Sequence, residues 1–188
     1  MSQALQIIRQ EHRNLFRVAS MLDAVLHDAR ETPDLAFVRH VIEYIDTFTD
    51  RYHHPKEDRY LFAALRRRDR TAEAIIEELE SEHAGCPGAL ARFKDTLAAC
   101  ERGEPGSADE LRDKAAQYLK FLIKHMQKEE AIVMPMAQQV LSAEDWAEID
   151  AAFADNRDPL FSTDAKEDMR RLYSRLVNEA PAPYGVGG

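Results

Sequence analysis

Hydrophobic residues recur along most of the chain at alternating spacings of three and four, which is the period of an amphipathic α-helix. This pattern breaks near residues 32, 70 and 105, where charged residues, proline or glycine cluster. A shorter fifth helix is predicted at residues 142–154 and a sixth at residues 164–178. Before them, four long helices are predicted over about residues 3–30, 34–68, 72–102 and 107–141.

The short connections between the long helices predict their arrangement in space. Consecutive helices joined by a few residues lie side by side and run antiparallel. The predicted fold is therefore all-α, an up-down-up-down four-helix bundle with a short helical C-terminal extension. We expect residues 1–141 to form the bundle, residues 142–180 to form an extension that packs on it, and residues 181–188 to form a disordered tail.

Composition and charge narrow the classes of function. The net charge of -9 and the isoelectric point near 5.3 argue against nucleic acid or an anionic membrane as the partner. The N-terminal segment becomes charged too early for a signal peptide, and no apolar run is long enough to span a bilayer. The two cysteines, Cys86 and Cys100, form no CxxC pair, so a cytoplasmic location is expected.

Histidines interrupt the apolar faces of the predicted helices. His12 in the first helix, His83 in the third and His125 in the fourth each occupy a position where the pattern predicts an aliphatic side chain. His53 follows a similar but less regular face of the second helix. A single histidine on an apolar face is usually a hydrogen-bonded core residue, but one in each of four helices indicates a shared site.

The number of residues between each histidine and the nearest interruption of the helical pattern independently tests whether the histidines share a site. His12 lies about 18 residues before the first break and His53 about 19 after it, while His83 lies about 19 before the third break and His125 about 18 after it. A helix rises about 1.5 Å per residue, so residues equidistant from a shared turn lie at one level. The second break matches less well, by a few residues. The four histidines are therefore predicted to meet in one layer of the bundle.

Two glutamates extend this predicted site. Glu57 and Glu129 follow His53 and His125 by four residues, and side chains four apart on a helix share one face. A buried carboxylate costs several kcal/mol unless it is paired or bound to metal. One divalent ion takes four to six ligands, so six or seven inward donors indicate two ions bridged by the glutamates. Mixed imidazole and carboxylate donors suit iron, manganese or zinc better than magnesium or calcium.

The segments "HHPKED" and "HMQKEE", with "EH" in the first helix and "ESEHAG" in the third, resemble the hemerythrin-like (HHE cation-binding) family over about residues 5–140. The segment "LSAEDWAEIDAAFADNRDPLF" is similar to an extension of bacterial members. The resemblance implies a four-helix bundle around a non-haem di-iron centre, with Glu57 and Glu129 bridging the ions. The ligands that it implies are His12, His53, Glu57, His83, His125 and Glu129.

Three positions leave alternatives open. Glu130 competes with Glu129, because some family members place the acid five residues after the histidine. His54 is either a seventh ligand or an exposed or supporting residue, and Cys86 is either a thiol close to the metal or a small buried apolar residue, which is the reading we favour. Pro87 stands where oxygen-carrying hemerythrins have a second histidine, which implies an open coordination position and favours redox chemistry or sensing over simple oxygen carriage.

These features predict a di-iron protein that binds dioxygen or a related small ligand, such as nitric oxide or peroxide, and that acts in oxygen, redox or iron handling. Manganese or zinc could replace iron. One alternative is an enzyme that turns over peroxide or nitric oxide. Another is a regulatory module that responds to iron or oxygen and signals through residues 143–178 to an unknown redox or regulatory protein partner. The sequence leaves open whether the protein is an enzyme.

Overall fold

The computed structural model describes residues 2–27 and 34–154 and the single residue Asn178. Within these ranges all regular structure is helical, as predicted. Each of the described helices is too short or too polar for a bilayer-spanning segment. Helix α1 spans Gln3–His27, α2 spans residues 35–68, α3 spans Glu73–Glu101, α4 spans residues 107–140 and α5 spans Ala143–Ala154, and a 3₁₀ turn, Arg70–Ala72, precedes α3.

Helices α2 and α4 contain π-helical turns. In α2, the π-helical stretches Ile45–His53 and Glu57–Phe62 alternate with the α-helical pieces Leu35–Tyr44, His54–Lys56 and Ala63–Arg68. In α4, the π-helical stretch Glu129–Val133 separates Ser107–Lys128 from Met134–Val140. A π turn accommodates an extra residue and so changes which side chains face the core. This explains why the apolar face of the second helix is irregular in the sequence.

The four long helices form the predicted bundle. Helix α1 packs against α2 and α4, α2 packs against α3, and α3 packs against α4, so that each helix has two neighbours. Gly103 and Gly106, between α3 and α4, have positive φ angles of 70° and 81°, a conformation that favours glycine. The connection between α1 and α2 lies outside the described residues.

The apolar core consists of two clusters, one on each side of the buried histidines. On α1, Ile8 belongs to one cluster, Leu15 belongs to the other, and His12 lies between them. On α2, the corresponding division falls between Phe48 and Leu61. The predicted common depth of the four histidines is therefore seen as a polar band across the middle of the bundle.

The predicted fifth helix is present as α5, and it packs on the start of α1. The Asp150 carboxylate accepts hydrogen bonds from Ser2 Oγ at 2.6 Å and from the Ala4 backbone N at 2.7 Å. Phe153 is fully buried in the nearer apolar cluster. The predicted sixth helix, apart from Asn178, and the predicted disordered tail lie outside the described residues, and the division at residues 141 and 142 stays a prediction.

Candidate metal centre

All six residues predicted as ligands lie together in the middle of the bundle. Each is buried, with at most 6% of its surface exposed. They come from all four long helices, one or two from each. We call the set the polar layer: His12, His53, Glu57, His83, His125 and Glu129.

The Glu57 carboxylate contacts histidines from three helices. Its oxygens lie 3.8 Å from His12 Nε2, 3.5 Å from His53 Nε2 and 3.8 Å from His83 Nε2. Glu57 is at the start of the second π-helical stretch of α2, four residues after His53, so the two side chains face the same way. Its Oε2 atom thus lies near the imidazoles of both α2 and α3, and its Oε1 atom lies near that of α1.

The Glu129 carboxylate occupies the matching place on α4. Its oxygens lie 3.2 Å from His12 Nε2, 3.7 Å from His83 Nε2 and 3.2 Å from His125 Nε2. Among the described residues, three groups that include polar-layer side chains hold ligand atoms that all lie within 4.8 Å of one another. One of them is His54, His83 and His125, and the other two share Glu57. These two groups are His12, His53 and Glu57, and Glu57, His83, His125 and Glu129.

Each histidine of the polar layer is also bonded to an acid on its outer side. Going round the bundle from α1 to α4 and back to α1, the acid always comes from the helix before that of the histidine. The four pairs, measured from Nδ1 to a carboxylate oxygen, are His12 with Glu130 at 2.8 Å, His53 with Glu11 at 2.8 Å, His83 with Asp58 at 2.7 Å and His125 with Glu82 at 2.8 Å. We call these four acids the outer ring.

The outer ring determines which nitrogen of each imidazole carries the hydrogen and which is free to bind a cation. An ionised carboxylate only accepts hydrogen bonds, so each Nδ1 must carry the hydrogen and donate it. In a neutral imidazole the lone pair is then on Nε2, which points to the two glutamates. Metal-binding histidines in proteins are commonly held in this way by a carboxylate or carbonyl. The polar layer therefore presents four imidazole lone pairs and two carboxylates to one another.

These inward atoms need positive charge. No described residue hydrogen-bonds to either oxygen of Glu57 or Glu129, or to Nε2 of His12. The Nε2 atoms of His83 and His125 lie 3.0 Å apart, although both lone pairs point inward when both rings are neutral. Leaving such groups unpaired in a dry interior costs several kcal/mol. Bound cations would satisfy all of them at once, so the residues present fit a metal centre.

The raised pKa values of two of these histidines also show that the buried carboxylates favour positive charge in the polar layer. Burial lowers the pKa of His12, but its contacts with Glu129, Glu130 and Glu57 outweigh burial and raise the pKa well above 6.5. Burial also lowers the pKa of His83, yet the hydrogen bond with Asp58 and the nearby Glu129 and Glu57 carboxylates raise it to about 10. Protons and metal ions thus compete for the same nitrogens.

The structure separates the two rival acids on α4. Glu129 is 1% exposed and lies in the polar layer, whereas the Glu130 side chain is 41% exposed and belongs to the outer ring. His54 is buried, and its ring stacks on that of His83 with centroids 4.0 Å apart and an interplanar angle of 12°. The alternative of an exposed His54 is therefore wrong, and the choice between a seventh ligand and a supporting residue stays open.

Sequence reasoning missed most of the outer ring. Glu11, Asp58 and Glu82 were not predicted, although each is the sequence neighbour of a predicted ligand. The usable signal is an acid directly beside an inward ligand in all four helices. These adjacent pairs are Glu11 and His12, Glu57 and Asp58, Glu82 and His83, and Glu129 and Glu130.

Comparison with known protein families gave a match. A family model described as the hemerythrin HHE cation binding domain matches residues 3–137, a range that includes every residue of the polar layer. Neither the curated proteins nor the solved structures gave a match to this chain.

Proposed function

The chain belongs to the hemerythrin HHE cation-binding family, and on that premise we propose that it is a non-haem di-iron protein that binds dioxygen, nitric oxide or peroxide. The site is the polar layer, and the two ions are bridged by carboxylates. The observation that carries this proposal is the pair of buried glutamates, each among three imidazoles and without a hydrogen-bond partner among the described residues.

The two groups of side chains that share Glu57 suggest how the ligands divide. His12 and His53 would hold one ion and His83 and His125 the other, with Glu57 shared between them. Glu129 also lies between His12 and the α3–α4 pair and is the second bridging candidate. Two ferrous ions held there would bind a small oxidant and supply the electrons that reduce it. The same donors also suit manganese and zinc, so the identity of the metal as iron is itself part of the proposal.

The chain contributes orientation and a dry environment. The outer ring holds the imidazoles in one tautomer, so their nitrogens need no rearrangement when a cation binds. The two apolar clusters cover the layer above and below and exclude water from it. The position four residues after His83 is Pro87, which offers no side-chain donor, so α3 contributes one imidazole to the layer.

A groove between α1 and α4 provides a route for a small ligand. It has a volume of about 670 Å³, and its lining includes His12, Phe16, Met126 and Glu130. Phe16 is 48% exposed there and contributes apolar surface to the lining of the groove. We propose that uncharged diatomic molecules and peroxide approach the layer along this apolar groove.

One contact favours turnover as a second candidate function. Glu130 faces this groove and bonds His12 Nδ1, so it links a buried imidazole to solvent. Reduction of peroxide or nitric oxide consumes protons, whereas reversible binding of dioxygen needs no continuing supply. Proton exchange between water and the Glu130 carboxylate, on the groove by which the small ligand would enter, would meet that need.

The experiment is anaerobic reconstitution with ferrous iron, followed by oxygen and absorption spectroscopy. We expect an absorption band that appears with oxygen and disappears when oxygen is removed. Irreversible oxidation with consumption of added peroxide would instead establish turnover. The variant His53→Ala/Glu57→Ala should bind less iron and give no band. Equal iron content in this variant and the wild type would overturn the site assignment.

The cellular setting completes the proposal. Cys86 and Cys100 are both free thiols, which fits a reducing cytoplasm. A redox or regulatory protein partner would supply electrons or receive a signal, and the C-terminal extension is the candidate contact. If the protein is instead a regulatory module, metal removal should cause a large loss of helix, which circular dichroism would detect.

A further inference from the structure

We propose that Asp50, His54 and Cys86 form a separate site for one divalent cation of the zinc or ferrous-iron class. One donor atom from each of the three side chains lies within 4.8 Å of the others. Asp50 and His54 come from α2 and Cys86 from α3, so the site joins two helices of the bundle. None of the three is among the six ligands proposed for the dinuclear centre, although His54 also lies within reach of His83 and His125. The inference does not depend on the function proposed above.

The environment of Asp50 indicates that a cation binds here. Its side chain is only 8% exposed, and no described residue hydrogen-bonds to either of its carboxylate oxygens. His54 Nδ1 is 3.6 Å away, which is too far for a hydrogen bond. Burial, and after it the nearby charge of Asp46, raises the pKa of Asp50 to about 6. A cation next to this carboxylate would remove the cost of burying it.

Cys86 supplies the donor that sets the class of metal. The thiol is buried and donates a weak hydrogen bond to the Glu82 carbonyl oxygen at 3.3 Å. Burial raises the pKa of Cys86 to about 12, so the thiol stays protonated at neutral pH unless a cation binds. When the sulfur–metal bond forms, the S–H bond breaks and its proton leaves to water. Thiolate, imidazole and carboxylate together select zinc or ferrous iron over magnesium and calcium.

The site adjoins the polar layer through His54. The His54 ring stacks on His83, so a cation held by His54 would place positive charge beside an imidazole of the main centre. The polar layer itself contains no sulfur, which makes the two sites distinguishable by spectroscopy. Three protein donors leave a tetrahedral cation one open position, for water or a small ligand.

Titration of the metal-free protein with Co²⁺ alone tests the proposal, because sulfur-to-cobalt charge transfer gives a near-ultraviolet band that oxygen and nitrogen ligands do not give. We expect this band to saturate at the intensity of one sulfur–cobalt bond per chain, however much cobalt the polar layer also binds, and to disappear when Zn²⁺ is added. Cys86→Ala should abolish the band, while the matched control Cys100→Ala should keep it. In Asp50→Asn the apparent cobalt affinity should fall at least about tenfold. Circular dichroism checks that each variant keeps its helices.

Several results would overturn the proposal. These are the absence of the band in the wild type, its persistence in Cys86→Ala, or an unchanged cobalt affinity in Asp50→Asn. Loss of the band in a folded Glu57→Gln variant would show that the sulfur belongs to the main centre, which also contradicts a separate site. The wild-type titration stands alone, so the proposal stays falsifiable even if a variant does not fold.

Discussion

The carboxylate of Glu130 lies 2.8 Å from Nδ1 of His12, and this contact joins the last helix of the bundle to the first. It closes the outer ring, in which every helix orients a histidine of the next. Because each imidazole is held from outside by a group on a neighbouring helix, the inward nitrogens are fixed by the packing of the bundle. The arrangement makes Glu130 a supporting residue and leaves Glu129 as the proposed ligand.

Substitution of the two adjacent glutamates should therefore have different effects. Glu129→Gln should remove at least one bound metal per chain, because it takes away a buried carboxylate from among three imidazoles. Glu130→Gln should keep the metal content and weaken metal binding by about 10- to 100-fold, as is usual for groups that orient a ligand. Elemental analysis and calorimetric titration measure the two quantities. Loss of metal in Glu130→Gln, with Glu129→Gln unaffected, would reverse the assignment.

The outer ring can be tested at Glu82 with a matched control. Glu82 hydrogen-bonds both His125 Nδ1 and Lys128, whereas Glu78, among the residues that the structure describes, hydrogen-bonds only Lys128. Glu82→Gln should lower metal affinity by about 10- to 100-fold, and Glu78→Gln should leave it unchanged. Titration with the same metal at fixed pH gives both values. Similar affinities in the two variants would show that the outer acids do not orient the imidazoles.

Metal removal should destabilise the bundle. A ligand that binds only the folded state stabilises it by about 4 kcal/mol when its free concentration is 1,000 times its Kd. For a chain of this size that corresponds to a rise in Tm of about 8–16 °C. Thermal unfolding followed by circular dichroism, with and without metal, measures the shift. The variant His53→Ala/Glu57→Ala should show a much smaller shift, and an equal one would place the stabilising metal elsewhere.

The contact between α2 and α5 should depend on pH. The Asp145 carboxylate accepts a hydrogen bond from Arg68 Nε at 2.7 Å, and this guanidinium, with the Ser142 backbone N, lowers the pKa of Asp145 from 3.8 to about 2. A lowered pKa in the folded state stabilises the protein above pH 3.8, and this stabilisation is lost as the pH falls to about 2. The effect concerns the end of the bundle that α5 covers.

The test compares metal-free wild type with metal-free Asp145→Asn, so that metal release does not contribute. We expect the wild type to be the more stable at pH 5, with the difference shrinking between pH 4 and pH 2. Urea unfolding at each pH measures it. Glu148→Gln, an exposed acid on the same helix, serves as the control and should show no such trend. A difference that is constant with pH would contradict the role of the Asp145 charge.

The fold and the depth of the site could be predicted because both follow from regular helix geometry. The period of apolar residues defined the four helices, and the rise per residue placed His12, His53, His83 and His125 at one level. Burial of Glu57 and Glu129 followed from their four-residue spacing to a histidine. No contact between distant residues had to be known for these inferences.

The remaining features depend on departures from that geometry or on neighbours across the bundle. In an ideal helix His54 would point about 100° away from His53, but the π-helical turns on both sides bring both rings inside. The choice between Glu129 and Glu130 falls at the start of another π-helical stretch. The outer ring pairs residues on different helices, so the relative rotation of the helices had to be known.

Anomalous diffraction from crystals of iron-loaded protein, measured at the iron absorption edge, tests the central claim most directly. We expect two peaks in the polar layer, about 3.5–4 Å apart as in other two-metal sites, on either side of the Glu57 carboxylate. One peak should lie next to His12 and His53 and the other next to His83 and His125. A fully loaded crystal with no peak in the polar layer would contradict the account.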